Sequence, residues 1–402
     1  MELNHNTGMP EMPKILMVNV PFAGHTNPTL GLAQQLVDKG CTVTYIHAPD
    51  WKERIEQTGA KFVPYDDFPL KINKNLLAYK AYGGAIRTVK RLGPSHDVLI
   101  YEMLFSPGKT LADNLGIPSI RLFSTFALNL SILKEYSKSG GMHFTSFGSI
   151  PLLYKAVSRF LCRKLGLKSD DIFKEITENG PELNYVYTTK DFQINSTIFQ
   201  EKNYKFIGAS IWKRDSVVEI PFEKMKKPLI YISLGTLLNN SLSFYKKCIQ
   251  AFSGDNVSVI MSVGTKIDIK KLGKIPGNFY IYRFVPQLDV LSQADLFITH
   301  GGMNSVNEAL YYSVPMIVVP MGNDQPTVAG RVEELKLGLV LDKKNISAEK
   351  LLNAFNKIHA EKQYLENAHK MKEAMVQAGG NQKAASDIIN YITVRNFKNK
   401  MT

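Results

Sequence analysis

Cysteine is scarce in this chain: Cys41, Cys162 and Cys248 lie far apart and never form a CxxC pair. That excludes a disulfide framework and a zinc site, and leaves three buried, reduced thiols. Long apolar runs are also missing; none approaches the roughly 18 residues that a membrane span needs. The opening stretch MELNHNTGMPEM has neither the basic nor the apolar region of a signal peptide, so a cytoplasmic location is expected. Lys and Arg outnumber Asp and Glu by 49 to 36, a net +13. The basic residues are spread out, with small clusters at KKLGK (270–274) and RNFKNK (395–400), and no stripe interleaves them with aromatics. A nucleic-acid module is therefore not expected. The excess reads as solvated lysine faces or, functionally, as attraction for a small phosphorylated ligand.

What is present is strand–helix alternation, twice over. At 402 residues the length suggests two domains of about 200 residues each. KILMVNV (14–20) reads as a buried strand, followed by the turn PFAGHTN and a helix expected to start at Pro28 with Asn27 as its cap. LGLAQQLVDKG (30–40) carries helical spacing and stops at Gly40; TVTYIHA (42–48) is the next strand. The second half repeats the plan: PLIYISL (228–234), a GTLLNN turn, the helical SFYKKCIQAF, then the strands SVIMSVG, FYIYRFV, ADLFITH, PMIVVP and GLVLD. This pattern predicts an α/β fold with two Rossmann-like parallel sheets facing across a cleft. The expected division is 1–207, a polar linker at 208–227, 228–382, and a C-terminal helix and tail at 383–402 that packs back on the first domain. No G-x-G-x-x-G follows either opening strand, which disfavours a dinucleotide-dependent dehydrogenase.

In open parallel sheets, ligands bind outside the carboxyl ends of the strands. The most informative residues there form HGGMNSVNEAL (300–310), directly after ADLFIT. His300, Gly301 and Gly302 make an exit turn, and Asn304 or Ser305 is expected to open a helix. Free amides and the positive end of the helix dipole suit a phosphate. The spacing Ser305-x-x-Glu308 is equally that of a plain capping box, so the motif alone leaves both readings open.

Its neighbours carry a resemblance. SLGT (233–236), FVPQLDVL (284–291) and GNDQ (322–325) also fall at strand ends. The block FVPQLDVLSQADLFITHGGMNSVNEALYYSVPMIVVPMGNDQPTVAGRVEELKLG (284–338) resembles the donor-binding signature of the family 1 UDP-glycosyltransferases, specifically the bacterial macrolide-glycosyltransferase-like group. KILMVNVPFAGHTNPTLGLAQQLVDKGCTVTY resembles that family's opening, and AGGNQKAASDIINYI (378–392) its closing helix. The resemblance implies a GT-B fold with an N-terminal acceptor domain and a C-terminal donor domain. It also implies a diphosphate site at His300, Gly302, Asn304 and Ser305, with Glu308 on the ribose. Ser233, Gly235 and Thr236 would close on the phosphates, Asp324 and Gln325 would meet the sugar, and Val285 and Gln287 the uracil edge. Many relatives carry Trp before V-P-Q; here it is Phe284, which can still stack with less area and no indole N–H.

His25, in the exit turn of the first strand, is the natural general base, since an imidazole titrating near 6.5 can take a proton from a hydroxyl. The resemblance supports this through the family's GH-x-NP turn. Such a base needs an orienting acid. The family usually has Asp at the end of the DVLIY strand; this chain has Glu102, one methylene longer. FPL (68–70), FSTFA (123–127) and GMHFTSFG (141–148) supply Phe68, Phe123, Phe126, Met142 and Phe144, read either as core or as the wall of an acceptor pocket for a flat or bulky apolar molecule.

The resulting expectation is an inverting, UDP-dependent transferase. It moves a hexose, glucose first, to a hydroxyl of a hydrophobic acceptor such as a flavonoid, polyphenol or macrolide. The UDP-sugar serves as co-substrate; no other cofactor, no nucleic acid and no membrane insertion are expected. No D-x-D triplet occurs, which argues against a metal-dependent design. The alternatives are a nucleotide-sugar epimerase of the same architecture and a non-catalytic glycosyltransferase-like partner protein.

Overall fold

The computed structural model describes residues 12–68, 74–133, 151–212, 218–235, 241–254 and 256–401. Its first half runs β1 (Lys14–Val18), α1 (Ala23–Asp38), β2 (Thr42–His47), α2 (Lys52–Glu56), β3 (Lys61–Pro64), α3 (Lys74–Leu92), β4 (Val98–Glu102), α4 (Gly108–Leu115), β5 (Ser119–Phe123), α5 (Pro151–Leu165), α6 (Ile172–Glu178), β6 (Leu183–Val186) and β7 (Tyr204–Phe206). The second half runs β8 (Leu229–Ser233), α7 (Leu242–Phe252), β9 (Ser258–Ser262), β10 (Phe279–Tyr282), α8 (Gln287–Gln293), β11 (Leu296–Thr299), α9 (Met303–Tyr311), β12 (Met316–Val318), α10 (Gln325–Glu334), β13 (Gly338–Val340), α11 (Ala348–Ala360), α12 (Gln363–Gln377) and α13 (Gly380–Met401).

Two parallel sheets result, ordered β3-β2-β1-β4-β5-β6-β7 and β10-β9-β8-β11-β12-β13. Strands such as LFIT and LIYIS are buried along their whole length, because helices cover both faces of a parallel sheet. In each sheet the strand order reverses once, between β1 and β4 and between β8 and β11. Loops diverge at such a point and leave a crevice. Both crevices face each other: Asn307 donates to the Tyr187 carbonyl at 2.6 Å and accepts from Thr188 Oγ1 at 2.9 Å, while Arg331 donates to the carbonyls of Phe192 and Asp191. One apolar cluster runs across this boundary, joining Met103, Phe126 and Leu128 to Met303, Val306 and Phe297. Ala384, Ala385, Ile388 and Ile392 of α13 lie in the core of the first sheet, with α13 against α1. Among the described residues no helix is long and apolar enough to cross a membrane.

Two helix starts differ from expectation. α1 opens at Ala23 with Phe22 as N-cap, so Asn27 is not its cap and Pro28 lies inside it. The amides of His25 and Thr26 both reach the Phe22 carbonyl at 2.9 Å, and Thr26 Oγ1 joins them at 3.0 Å. His25 therefore stands in the first turn of a helix rather than in the loop before it. Similarly, α9 opens at Met303 after Gly302, with no side-chain cap. Neither Asn304 nor Ser305 starts that helix, and the capping box is not formed.

Candidate active site

Three adjacent strands deliver the first cluster. β1 leads into His25, β4 ends on Glu102, and β5 is followed by Ser124. His25 Nδ1 lies 2.8 Å from Glu102 Oε1, so the longer acid does reach the imidazole. Ser124, which sequence reasoning missed, sits 2.7 Å from the same Nδ1 and donates to Glu102 Oε1 at 2.8 Å. The other carboxylate oxygen accepts the Leu104 amide at 2.8 Å. Glu102 has no exposed side-chain surface, whereas the His25 side chain keeps 24% of its own. Burial pulls the His25 pKa down, but the charge and hydrogen bond of Glu102, helped by the charge of Asp324, outweigh it and leave it above 6.5. With Nδ1 occupied, Nε2 is the ring nitrogen left for a substrate.

Beneath this cluster lies a buried polar layer. Asn19 donates to the His25 carbonyl at 2.9 Å, and Tyr65 donates to the Asn19 carbonyl at 2.5 Å. His47 is fully buried and its Nδ1 accepts the Ala48 amide at 2.8 Å, so Nε2 carries the proton toward Thr26 Oγ1 at 2.9 Å. Desolvation lowers the His47 pKa to about 3, which keeps this support neutral.

The second cluster comes from the other sheet. His300 follows β11 and lies between two glycines: a Cβ on Gly235 would stand 2.6 Å from its Cε1, and one on Gly302 2.6 Å from its Nε2. Gly235 also has φ of +72°, which side chains rarely adopt. Desolvation lowers the His300 pKa to about 4, so this histidine is neutral at pH 7 and offers one N–H rather than a charge. The first amides of α9, which starts three residues after His300, have no intrahelical partner. Ser233 is buried at the end of β8, with its Oγ 3.4 Å from the Gly235 amide. Thr236 lies outside the described residues.

Gln287 ties several expected residues together. Its Nε2 donates to Glu308 Oε2 at 2.5 Å and to Ser305 Oγ at 3.2 Å, while its Oε1 accepts from Tyr231 at 3.1 Å. Glu308 is thus held sideways by an amide instead of capping α9. Phe284 is 52% exposed beside half-buried Val285, three residues before Gln287. Asp324 holds the N-cap position of α10 without a side-chain cap bond, and its carboxylate accepts Thr125 Oγ1 at 3.0 Å across the cleft; burial raises its pKa against the opposing pull of His25 and Thr125. Gln325 spends its oxygen on the Met321 and Gly322 amides at 2.8 and 3.1 Å, so its NH2 is the group it can extend. Asn304 turns its side chain to the Gly24 carbonyl at 2.6 Å.

The aromatic candidates divide differently. Phe123 and Phe126 have no exposed surface; Phe126 stacks on Phe192 and Phe123 lies under the Arg121 guanidinium. Both are core, because β5 is buried on both faces and both rings belong to the apolar cluster that runs across the domain boundary. Phe68 is partly buried, edge-on to Tyr65 at 5.3 Å. Met142 and Phe144 lie outside the described residues. What FSTFA places at the cleft is its polar pair, Ser124 and Thr125, which the strand-end rule could have found had hydroxyls been weighed beside aromatics. Among the described residues no group of three His, Cys, Asp or Glu is arranged to hold a metal ion.

Known proteins resemble this chain in sequence and in fold. The family model for the Erythromycin biosynthesis protein CIII-like, C-terminal domain, matches residues 254–390. A Bacillus subtilis (strain 168) protein named uncharacterized UDP-glucosyltransferase YdhE is 36% identical, covering 90% of this chain and 94% of its own. The oleandomycin glycosyltransferase of Streptomyces antibioticus is 25% identical over 92% of this chain and 89% of its own. Among solved structures, the glycotransferase of kitacinnamycin superposes with a TM-score of 0.82 at 27% identity, covering 96% of this chain and all of that one. The calicheamicin glycosyltransferase CalG4 gives 0.78 at 25% identity, over 95% and 99%. With two switch-point crevices face to face and relatives matched over nearly their whole length, the chain belongs to the family 1 glycosyltransferases, in the bacterial group of macrolide type, and has their GT-B fold.

Proposed function

We propose that this glycosyltransferase moves a hexose, glucose from UDP-glucose in the first instance, onto a hydroxyl of an apolar small molecule such as a polyphenol or macrolide, with inversion at the anomeric carbon. The observation that carries the reading is the 2.8 Å contact between His25 Nδ1 and buried Glu102. It orients the imidazole, leaves Nε2 for the acceptor hydroxyl and stabilises the imidazolium formed when the proton is taken. The acceptor oxygen attacks the anomeric carbon as the bond to the diphosphate breaks. One displacement turns an α-linked donor into a β-glycoside.

The leaving diphosphate gathers charge at the start of α9. Unpaired amides, the His300 N–H and the Ser305 hydroxyl are the stabilisers this reading invokes, and no metal step is part of it. Glu308, already aligned by Gln287, accepts the ribose hydroxyls, and Ser233 and Gly235 border the phosphates from the end of the neighbouring strand β8. Asp324 and Gln325 meet the sugar: a carboxylate as acceptor and an amide NH2 as donor suit neighbouring hydroxyls. Phe284 and Val285 flank the base. Phe68 stands on the acceptor side.

A donor-by-acceptor screen read by mass spectrometry tests this, with the anomeric configuration of one product determined by NMR. A β-glycoside formed from UDP-glucose supports the reading. A retained α-linkage, or an epimerised donor without any glycoside, overturns it.

A further inference from the structure

α1 carries a proline in its interior, and Pro28 has no N–H to give to the carbonyl four residues back. That carbonyl belongs to Gly24, the neighbour of His25. In this structure it accepts the side-chain amide of Asn304 at 2.6 Å, from the first turn of α9 in the other domain. The rest of the turn is also held from outside the helix. The His25 carbonyl takes Asn19 Nδ2 at 2.9 Å, and the Pro28 carbonyl takes Ser210 Oγ at 2.6 Å, itself bonded to Asn381 at 2.9 Å.

A side chain of the phosphate-facing helix therefore completes the turn that bears the base, at an acceptor that exists because residue 28 is proline. We propose that Asn304 is a positioning residue for His25, and that docking of α9 against Gly24 sets the imidazole for proton transfer. This rests on the reading of His25 as the base, and it differs from a direct grip of Asn304 on the diphosphate. The amide cannot give the same N–H fully to both, whereas the backbone amides of α9, His300 and Ser305 are available to the phosphates without it.

The test compares Asn304→Ala, Pro28→Ala and the double variant with the wild type. Pro28→Ala restores a backbone N–H that can take the Gly24 carbonyl within the helix and so replaces the cross-domain contact. Asn304→Ala is expected to lower kcat by about 10- to 100-fold, since a small misplacement of a reacting group is costly. Its affinity for UDP alone, measured by calorimetry, stays within about threefold of wild type. Amide hydrogen exchange at His25 and Thr26 becomes faster. In the Pro28→Ala background the same substitution has little further effect on kcat. A UDP affinity that falls in step with kcat/KM makes Asn304 a phosphate ligand and overturns the proposal, as do multiplicative losses in the double variant. Exchange is read whether or not the chain transfers sugar: unchanged exchange in Asn304→Ala overturns the contact itself, while an inactive wild type overturns only the reading of His25.

Discussion

His25 and His300 occupy matching places, each just past a strand beside its sheet's switch point and close to the start of a helix. Their environments drive them apart. His25 has a buried carboxylate at 2.8 Å and is held above its ordinary pKa; His300 has two glycines around its ring and falls to about 4. Position in the fold therefore does not decide what a histidine does. A partner of opposite charge favours the protonated form of one, which is what the proposed base needs, and desolvation alone keeps the other neutral.

The sharpest break of this contrast is His25→Ala. Transfer is expected to fall by about 10²- to 10⁴-fold, the usual contribution of a general base, while UDP binding measured by calorimetry persists. Undiminished transfer would remove His25 from the chemistry. Removing the charge that distinguishes the two histidines is the next step. Glu102→Gln is expected to reduce maximal kcat/KM by about 10- to 100-fold and to move its acid limb to lower pH. The sign follows from the base having to be neutral: activity rises with pH through the His25 pKa, and Glu102 holds that pKa up. A limb that stays put would separate Glu102 from His25.

For His300 the expectation reverses. It is neutral well below pH 7, so its contribution to UDP affinity is flat between about pH 5.5 and 8, and His300→Ala weakens binding by about tenfold without changing that flatness. Gly235→Ala should act in the same direction, because its Cβ meets the His300 ring and its φ of +72° adds strain; thermal denaturation is expected to register about 1–2 kcal/mol lost. An advantage of wild type over His300→Ala that shrinks as pH rises from 5.5 to 7 would mean that a charged His300 holds the phosphates.

How much of this was legible in the residues follows the range of the forces involved. The sheets could be read because KILMVNV, PLIYISL and ADLFIT are continuous apolar runs, a signature of strands covered on both faces. His25, Glu102 and His300 could be located because strand ends in parallel sheets converge. What could not be read depended on contacts between distant segments. Pro28 looked like a first helical residue, yet the helix starts at Ala23 and runs through it, and Asn304, far along the chain, donates to the Gly24 carbonyl that proline leaves free. The spacing Ser305-x-x-Glu308 suited a capping box until Gln287 claimed Glu308. Phe123 and Phe126 were aromatic enough for a pocket, but Arg121, Tyr204 and Phe192 from elsewhere in the chain pack against them and bury them fully.

Phe284 offers the mildest test, where the two clusters are compared through stacking rather than charge. The residue is 52% exposed, three positions before the Gln287 that holds Glu308, so in the free protein it contributes little burial. If the base of the nucleotide covers it, the gain is an aromatic contact worth roughly 0.5–1.5 kcal/mol, or about two- to tenfold in affinity. Phe284→Ala should weaken UDP by that factor, and Phe284→Trp should strengthen it slightly through the larger face. Neither change reaches His25, so kcat at saturating donor should stay within about twofold. A Phe284 variant that lowered kcat while sparing UDP affinity would place this ring with the acceptor instead, and would move the boundary between the two halves of the cleft.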